Sequence, residues 1–323
     1  MKIKKRTPLR IAGRVLLVLL AILAVFIITM TIYNQIMLKK NKELYETPLG
    51  QLVEVDGHNM SIYTEGEGDH TLVFLSGWGT PSPILDFKAL YSRLSDENRI
   101  AVVEKFGYGF SDEIDDERDI DTILRQDREA LVKAGVEGPY ILCPHSFSGN
   151  EATLWAQKYP DEVEAIVGLD CCTPNCESEE TLRSNDKIMG FAKFANRALR
   201  YTGLVRLGNL DMSGTLTDSE EKIFTEIACH ITANDTMMRE ASLENELALR
   251  DELNSRPLPT VPMIMYASAD YSGEELWIGG MQAMVDSSEN GKLIELDCGH
   301  YVHDFEYERI SKDIKKLISE LDS

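Results

Sequence analysis

The sequence predicts an α/β protein, with a mainly parallel sheet of eight strands flanked by helices behind one N-terminal apolar helix. Three observations predict it. Apolar runs of strand length alternate with helix-length periodic segments along most of the chain, the rhythm of right-handed crossovers between parallel strands. One interval, from Cys171 to Thr260, breaks that rhythm with helical patterns alone. Near the start, the 19 residues Val15–Tyr33 carry no charge.

As a helix, Val15–Tyr33 rises about 28 Å, close to the hydrocarbon thickness of a bilayer. A secretory signal peptide has an apolar core of only about 7–15 residues and a small-x-small cleavage site. "FIITMTIYNQIM" offers no such site. A buried core helix would not be flanked by charge clusters on both sides. Residues 1–14 therefore read as a basic cytosolic segment, 15–33 as an uncleaved transmembrane anchor and 34–50 as a linker. Lys2, Lys4, Lys5, Arg6, Arg10 and Arg14 precede the span, and Lys39, Lys40 and Lys42 follow it. The excess of bases before the span places the N-terminus in the cytosol and the remaining chain outside.

The chain of 323 residues has a formal charge of −21. Residues 1–42 hold nine bases and no acid, so residues 43–323 carry −30. A domain that acidic repels a phosphate backbone, which excludes nucleic acid as a partner. It is long enough to bury a large core without a disulfide or metal staple. Cys171, Cys172 and Cys176 cluster without a CxxC pair or histidine-rich partner for zinc, and one disulfide involving that cluster stays open, its pairing undetermined. Cys143 and Cys298 sit in or beside apolar runs and read as buried thiols.

After the anchor, "QLVEV" (51–55) and "MSIYTEG" (60–66) alternate around Asp56-Gly57, a hairpin signal. "TLVFLS" (71–76) is a continuous apolar run, as in a strand covered on both faces. A helix is predicted around 86–94, a strand at 100–104, a helix over 120–134 and a strand at 140–145. A helix over 151–159 and a strand at 165–170 follow. Helices near 186–201, 218–234 and 236–254 occupy the strandless interval. The series closes with a strand at 262–267, a helix around 274–285, a strand at 292–297 and a last helix. Residues 51–170 and 261–323 read as the core, and 171–260 as a helical cap, because insertions at a sheet edge often cover active sites.

The chemistry concentrates at the strand ends. In "YILCPHSFSGNEA", Ser146 lies where a strand stops and a helix begins, the setting of a nucleophile elbow. The usual pattern is G-x-S-x-G. Here Pro144 and Ser148 replace both glycines, with Gly149 one place later. The competing reading is a plain helix-cap serine. "LVFLSGWGTPSP" puts a Gly-rich turn after an earlier strand, so the backbone N–H groups of Trp78 and Phe147 are the candidate oxyanion donors. Asp270 in "MYASADYSGEE" and His300 in "LDCGHYVHDFE" lie just past later strands. The order Ser…Asp…His brings all three to one sheet edge. Asp170 is the alternative acid and His303 the alternative base.

Through "SGWGTPSPILDF", "KFGYGFSD", "HSFSG", "ASAD" and "CGH", residues 51–320 resemble the α/β-hydrolase superfamily in its capped form. The resemblance implies a mostly parallel eight-stranded α/β-hydrolase sheet with a helical cap after the sixth strand. It also implies Ser146 as nucleophile, His300 as general base, Asp270 as the acid orienting it, and Trp78 and Phe147 as oxyanion donors. A small-molecule ester, thioester or amide would be cleaved through an acyl-enzyme, with water or, in an acyltransferase, an alcohol completing the cycle. Met189, Phe191, Phe194, Met212, Phe224, Met237 and Met238 in the cap are candidates for an apolar acyl or aryl site, or for cap packing alone. No cofactor or metal motif is present. A non-catalytic binding domain on the same fold is the alternative class.

Overall fold

The computed structural model describes residues 7–271 and 273–323, without the side chains of 7–9 and 187–189. Lys2, Lys4, Lys5 and Arg6, and the Met189 side chain, thus lie outside the described residues. The strands are β1 (Gln51–Val55), β2 (His58–Glu65), β3 (Thr71–Leu75), β4 (Arg99–Glu104), β5 (Tyr140–Pro144), β6 (Val163–Leu169), β7 (Met263–Ala267) and β8 (Gly291–Glu295). They form one sheet in the order β1-β2-β4-β3-β5-β6-β7-β8. β1 and β2 are antiparallel to their neighbours, and all pairs from β4 to β8 are parallel. β2 starts at His58, because Asp56 and Gly57 both take positive φ and close a two-residue hairpin.

Burial explains the strands at the centre. β3, β5 and β7 are buried at every residue. Alternate side chains feed two cores, with Val73, Leu75, Leu142 and Met265 on one face and Leu72, Phe74, Ile141 and Tyr266 on the other.

The helices are α1 (Thr7–Lys40), α2 (Glu43–Glu46), α3 (Pro83–Asp86), α4 (Lys88–Tyr91), α5 (Ile120–Lys133), α6 (Ser148–Lys158), α7 (Glu179–Thr202), α8 (Asp218–Ile231), α9 (Asp235–Glu240), α10 (Leu243–Asn254), α11 (Glu275–Ser287), α12 (Val302–Phe305) and α13 (Tyr307–Leu321). The helix expected over 86–94 is two short turns, α3 and α4. The one expected over 236–254 breaks at Ala241, where the Ser242 side chain caps α10 by accepting from the Asn245 N–H.

α7 to α10 fill the interval between β6 and β7, and polar bonds clamp them to the core. The buried Lys105 ammonium donates to Glu240 at 2.8 Å, as does the Tyr108 hydroxyl. Asn234 donates to the Gly107 carbonyl at 2.7 Å. α1 runs on through 34–40, where a linker is expected, and packs against α7 and α8. The buried Asn34 donates to the Arg200 carbonyl at 3.0 Å and accepts from Arg206 Nε at 2.7 Å. Arg206 makes a two-pronged ion pair with Glu226, which also accepts from Asn41 at 2.6 Å. From Arg10 to Phe26, α1 is exposed. A stretch of mean hydropathy 3.1 makes it long and apolar enough to cross a membrane or serve as a signal sequence.

Candidate active site

Ser146 follows β5 with φ of +52°, a conformation that a non-glycine residue holds only when its surroundings impose it. Those surroundings are specific. The His145 N–H donates to the Leu75 carbonyl at 2.9 Å, and the Cys172 N–H donates to the Ser146 carbonyl at 2.7 Å. Ser148 turns its hydroxyl beneath the elbow, to Leu75 O at 2.6 Å and His145 O at 2.9 Å. A serine at the usual glycine position is thus a brace. The need for a missing side chain moves to Gly149, where a Cβ would meet the Cys172 carbonyl oxygen at 2.1 Å.

The Gly-rich turn passes directly against the elbow, since a Cβ on Gly77 would lie 2.8 Å from Ser146 Cβ. Among the described residues, the backbone N–H groups of Trp78 and Phe147 donate to no other protein group. The Trp78 indole is fixed by a 2.7 Å bond to the Met237 carbonyl.

At the neighbouring strand end, His300 Nδ1 lies 2.7 Å from Asp170 Oδ2. Asp170, the first residue past β6, is fully buried. Its other oxygen accepts from the Ser268 N–H at 3.1 Å and from Trp277 Nε1 at 3.0 Å. Burial alone would raise its carboxyl pKa. The hydrogen bonds from His300 and Ser268 outweigh that and hold it below the usual range.

The expectation that Asp270 orients His300 is therefore corrected. Asp270 sits on an exposed 3-10 turn, and its carboxylate accepts from the His300 backbone N–H at 2.8 Å, bracing the loop and not the ring. His303 is also set aside as a base, since it is fully buried on α12 and bonded to Asp86 at 3.0 Å. The described hydrogen bonds of His300 run to Asp170, Asp270, His145 and Val302, and none reaches Ser146. Such bonds commonly tighten only when substrate is bound.

Sequence reasoning missed Trp277, whose indole donates to Asp170 and stacks on Tyr271 with ring centres 4.2 Å apart. It also missed the histidine cluster behind the elbow, where His145 packs against His300 and His303 at 4.7 and 4.6 Å. Burial, with His303 and His300 beside it, drives the His145 pKa well down. Burial and His300 push His303 down to about 3, and burial pushes Asp86 up to about 7. Among the described residues, Asp86, His145 and His303 are the group whose ligand atoms, all within 4.8 Å of one another, could hold a metal ion. All six cysteines are free thiols.

A cleft of about 360 Å³ opens over Ser146, walled by Trp78, Phe147, Tyr271 and Trp277, with Glu177, Asp186 and Glu246 among its lining carboxylates. Burial together with Glu177 and Asp186 pushes Glu246 up to about 7. The described cap residues expected to form an apolar acyl site do not line it. Phe224, Met237 and Met238 are buried in packing, while Phe191 and Phe194 face solvent and Met212 is partly exposed.

Strand order, the turn from β5 to α6 and the helical insertion after β6 together define the α/β-hydrolase class. No family model matches the chain. It is 40% identical over 241 residues to the uncharacterized protein YbdG of Bacillus subtilis, covering 72% of this chain and 69% of YbdG. The chain belongs to the family of YbdG, within the α/β-hydrolases. It is also 28% identical over 131 residues to 2-(acetamidomethylene)succinate hydrolase of Mesorhizobium japonicum, across 41% of this chain and 45% of that one. An α/β-hydrolase-fold protein from Burkholderia ambifaria superposes with a TM-score of 0.62 at 17% identity, covering 83% of this chain and 98% of that one. That likeness establishes the fold.

Proposed function

We propose that the chain is a membrane-anchored serine hydrolase that cleaves a carboxylic ester, thioester or amide through an acyl-enzyme. The observation that carries this reading is the buried Asp170 carboxylate on His300 Nδ1, at the sheet edge where Ser146 stands on its strained turn. An anionic partner at Nδ1 fixes the tautomer that leaves Nε2 free to accept a proton. His300 then takes the Ser146 proton as Oγ attacks the carbonyl carbon. The Trp78 and Phe147 N–H groups receive the developing oxyanion, and His300 returns the proton to the leaving group. Water, deprotonated by the same imidazole, releases the acid.

The aromatic walls of the cleft suit an apolar acyl or aryl group, and its carboxylates oppose an anionic one. A succinate of the kind named for the Mesorhizobium relative is therefore a poor match. α1 serves as the membrane anchor in this reading, with residues 171–260 as the cap, and its basic flank argues for an extracytoplasmic domain.

The test is a fluorophosphonate probe on the full-length protein, because its adduct resembles the tetrahedral intermediate. Labelling is expected once, at Ser146, and is expected to vanish in Ser146→Ala and in His300→Ala. A folded wild-type chain that takes up no probe and hydrolyses no activated ester would overturn the reading.

A further inference from the structure

The most exposed aromatic side chains among the described residues cluster on one helix. Phe191 is 73% exposed, Phe194 69% and Tyr201 60%, with Leu207 at 65% just beyond the end of α7. At 100° per residue, Phe191, Phe194 and Tyr201 fall within a single narrow face of α7. A soluble surface rarely gathers such a patch without a partner.

Charge marks the same segment. From Lys187 to Leu210 the chain carries Lys187, Lys193, Arg197, Arg200 and Arg206 and no acid, within a region that is −30 overall. Arg206 is held by Glu226 and Arg197 by Asp235, which leaves Lys193 and Arg200 without an ion pair among the described residues. Apolar aromatics interleaved with bases are the composition of a helix lying in the interface of an anionic bilayer.

Position supplies the third observation. The last turn of α7 is bonded to Asn34, the first amide after the apolar run Val15–Tyr33. The shielded positions of α1 are Ile27, Met30, Thr31, Asn34, Met37 and Leu38, spaced as one helix face. From Ile27 to Asn34 this face reaches about 10 Å back into the apolar stretch. The elements packed on α1 therefore extend below the level where its hydrocarbon-facing surface ends. The exposed face of α7 begins at Tyr201, in the turn that is bonded to Asn34.

We propose that the C-terminal half of α7 and the turn after it form an interfacial docking surface for an anionic lipid bilayer, beside α1. The inference rests on reading α1 as membrane-spanning. It adds that the helical insertion itself lies on the lipid. The N-terminal half of α7 contributes Leu182, Asn185 and Asp186 to the cleft over Ser146. Docking thus holds the cleft close to the bilayer, where an amphiphilic acyl substrate would be met.

The experiment uses the full-length protein in vesicles of phosphatidylglycerol and phosphatidylcholine carrying a diazirine-acyl phosphatidylglycerol, with the photolabelled peptides read by mass spectrometry. Label is expected in 15–33 and in 190–208, and little elsewhere. Phe191→Ser combined with Phe194→Ser should lose the 190–208 label, keep the 15–33 label and leave the melting temperature unchanged. Phosphatidylcholine alone should weaken the 190–208 label and spare the other. Label in 15–33 with none in 190–208 would overturn the proposal while leaving the anchor intact. Label in neither segment would overturn the anchor and the docking surface together. Equal labelling of 190–208 in both vesicle types would overturn the anionic preference.

Discussion

Asp170→Asn changes little more than one atom at the base of the site, and its cost follows from three hydrogen bonds. The carboxylate is sealed from water and accepts from His300, Ser268 and Trp277. An asparagine keeps the shape and, through its carbonyl oxygen, the bonds from Ser268 and Trp277. It presents an NH₂ to His300 Nδ1, so the imidazole carries its proton on Nε2, the nitrogen that receives the Ser146 proton in the proposed mechanism. A wrong-tautomer change of this kind costs on the order of 10⁴ in turnover, equivalent to about 5.5 kcal/mol of barrier. Asp270→Asn leaves an amide oxygen that still accepts from the exposed His300 N–H, so its loss stays below about tenfold. The assay is kcat/KM for p-nitrophenyl acetate in both variants, with melting temperatures at pH 7 and pH 3. Asp170 titrates below its unfolded value in the folded chain. Its stabilisation is therefore present at neutral pH and fades as pH falls through the folded value, and that acid-side loss should be missing from Asp170→Asn. A crippled Asp270→Asn beside a fully active Asp170→Asn would refute the assignment.

Gly149→Ala should lower stability by several kcal/mol and abolish probe labelling, because its Cβ would strike a backbone carbonyl 2.1 Å away that cannot yield without moving the elbow; thermal melting and fluorophosphonate uptake check it. Glu104→Gln tests a buried carboxyl that burial pushes up to about 7. A raised folded value means stability present at low pH and lost as pH rises through about 7, so wild type should lose on the order of 3 kcal/mol relative to the variant between pH 4 and pH 8; parallel melting curves would refute it. Arg206→Ala strands the buried Glu226 and should cost about 3–5 kcal/mol, visible as earlier melting of the full-length protein in detergent.

Much of the sheet was legible because full burial writes itself into β3, β5 and β7 as apolar runs, and one-sided burial into β1 as alternation. The elbow was legible for the same reason, as the point where such a run meets small residues. The choice of acid was not. Asp170 and Asp270 stand at the ends of adjacent parallel strands, β6 and β7, so both satisfy the order Ser…Asp…His. Depth decides between them. Asp170 comes directly after its strand, turned inward at φ of +45°, whereas Asp270 comes three residues after β7 on an exposed turn. A hydrophobic count failed in the helical insertion on the same ground, since Phe224 and Phe194 are alike in sequence and opposite in burial. Asn34 shows the limit most clearly. One amide after an apolar helix reads as its polar end. Its role comes from Arg200 and Arg206, more than 160 residues away, which turn it into the joint between α1 and the helical insertion. Periodicity reports the face that a segment buries. It cannot report the partner, and both the carboxylate on His300 and the joint at Asn34 are set by partners.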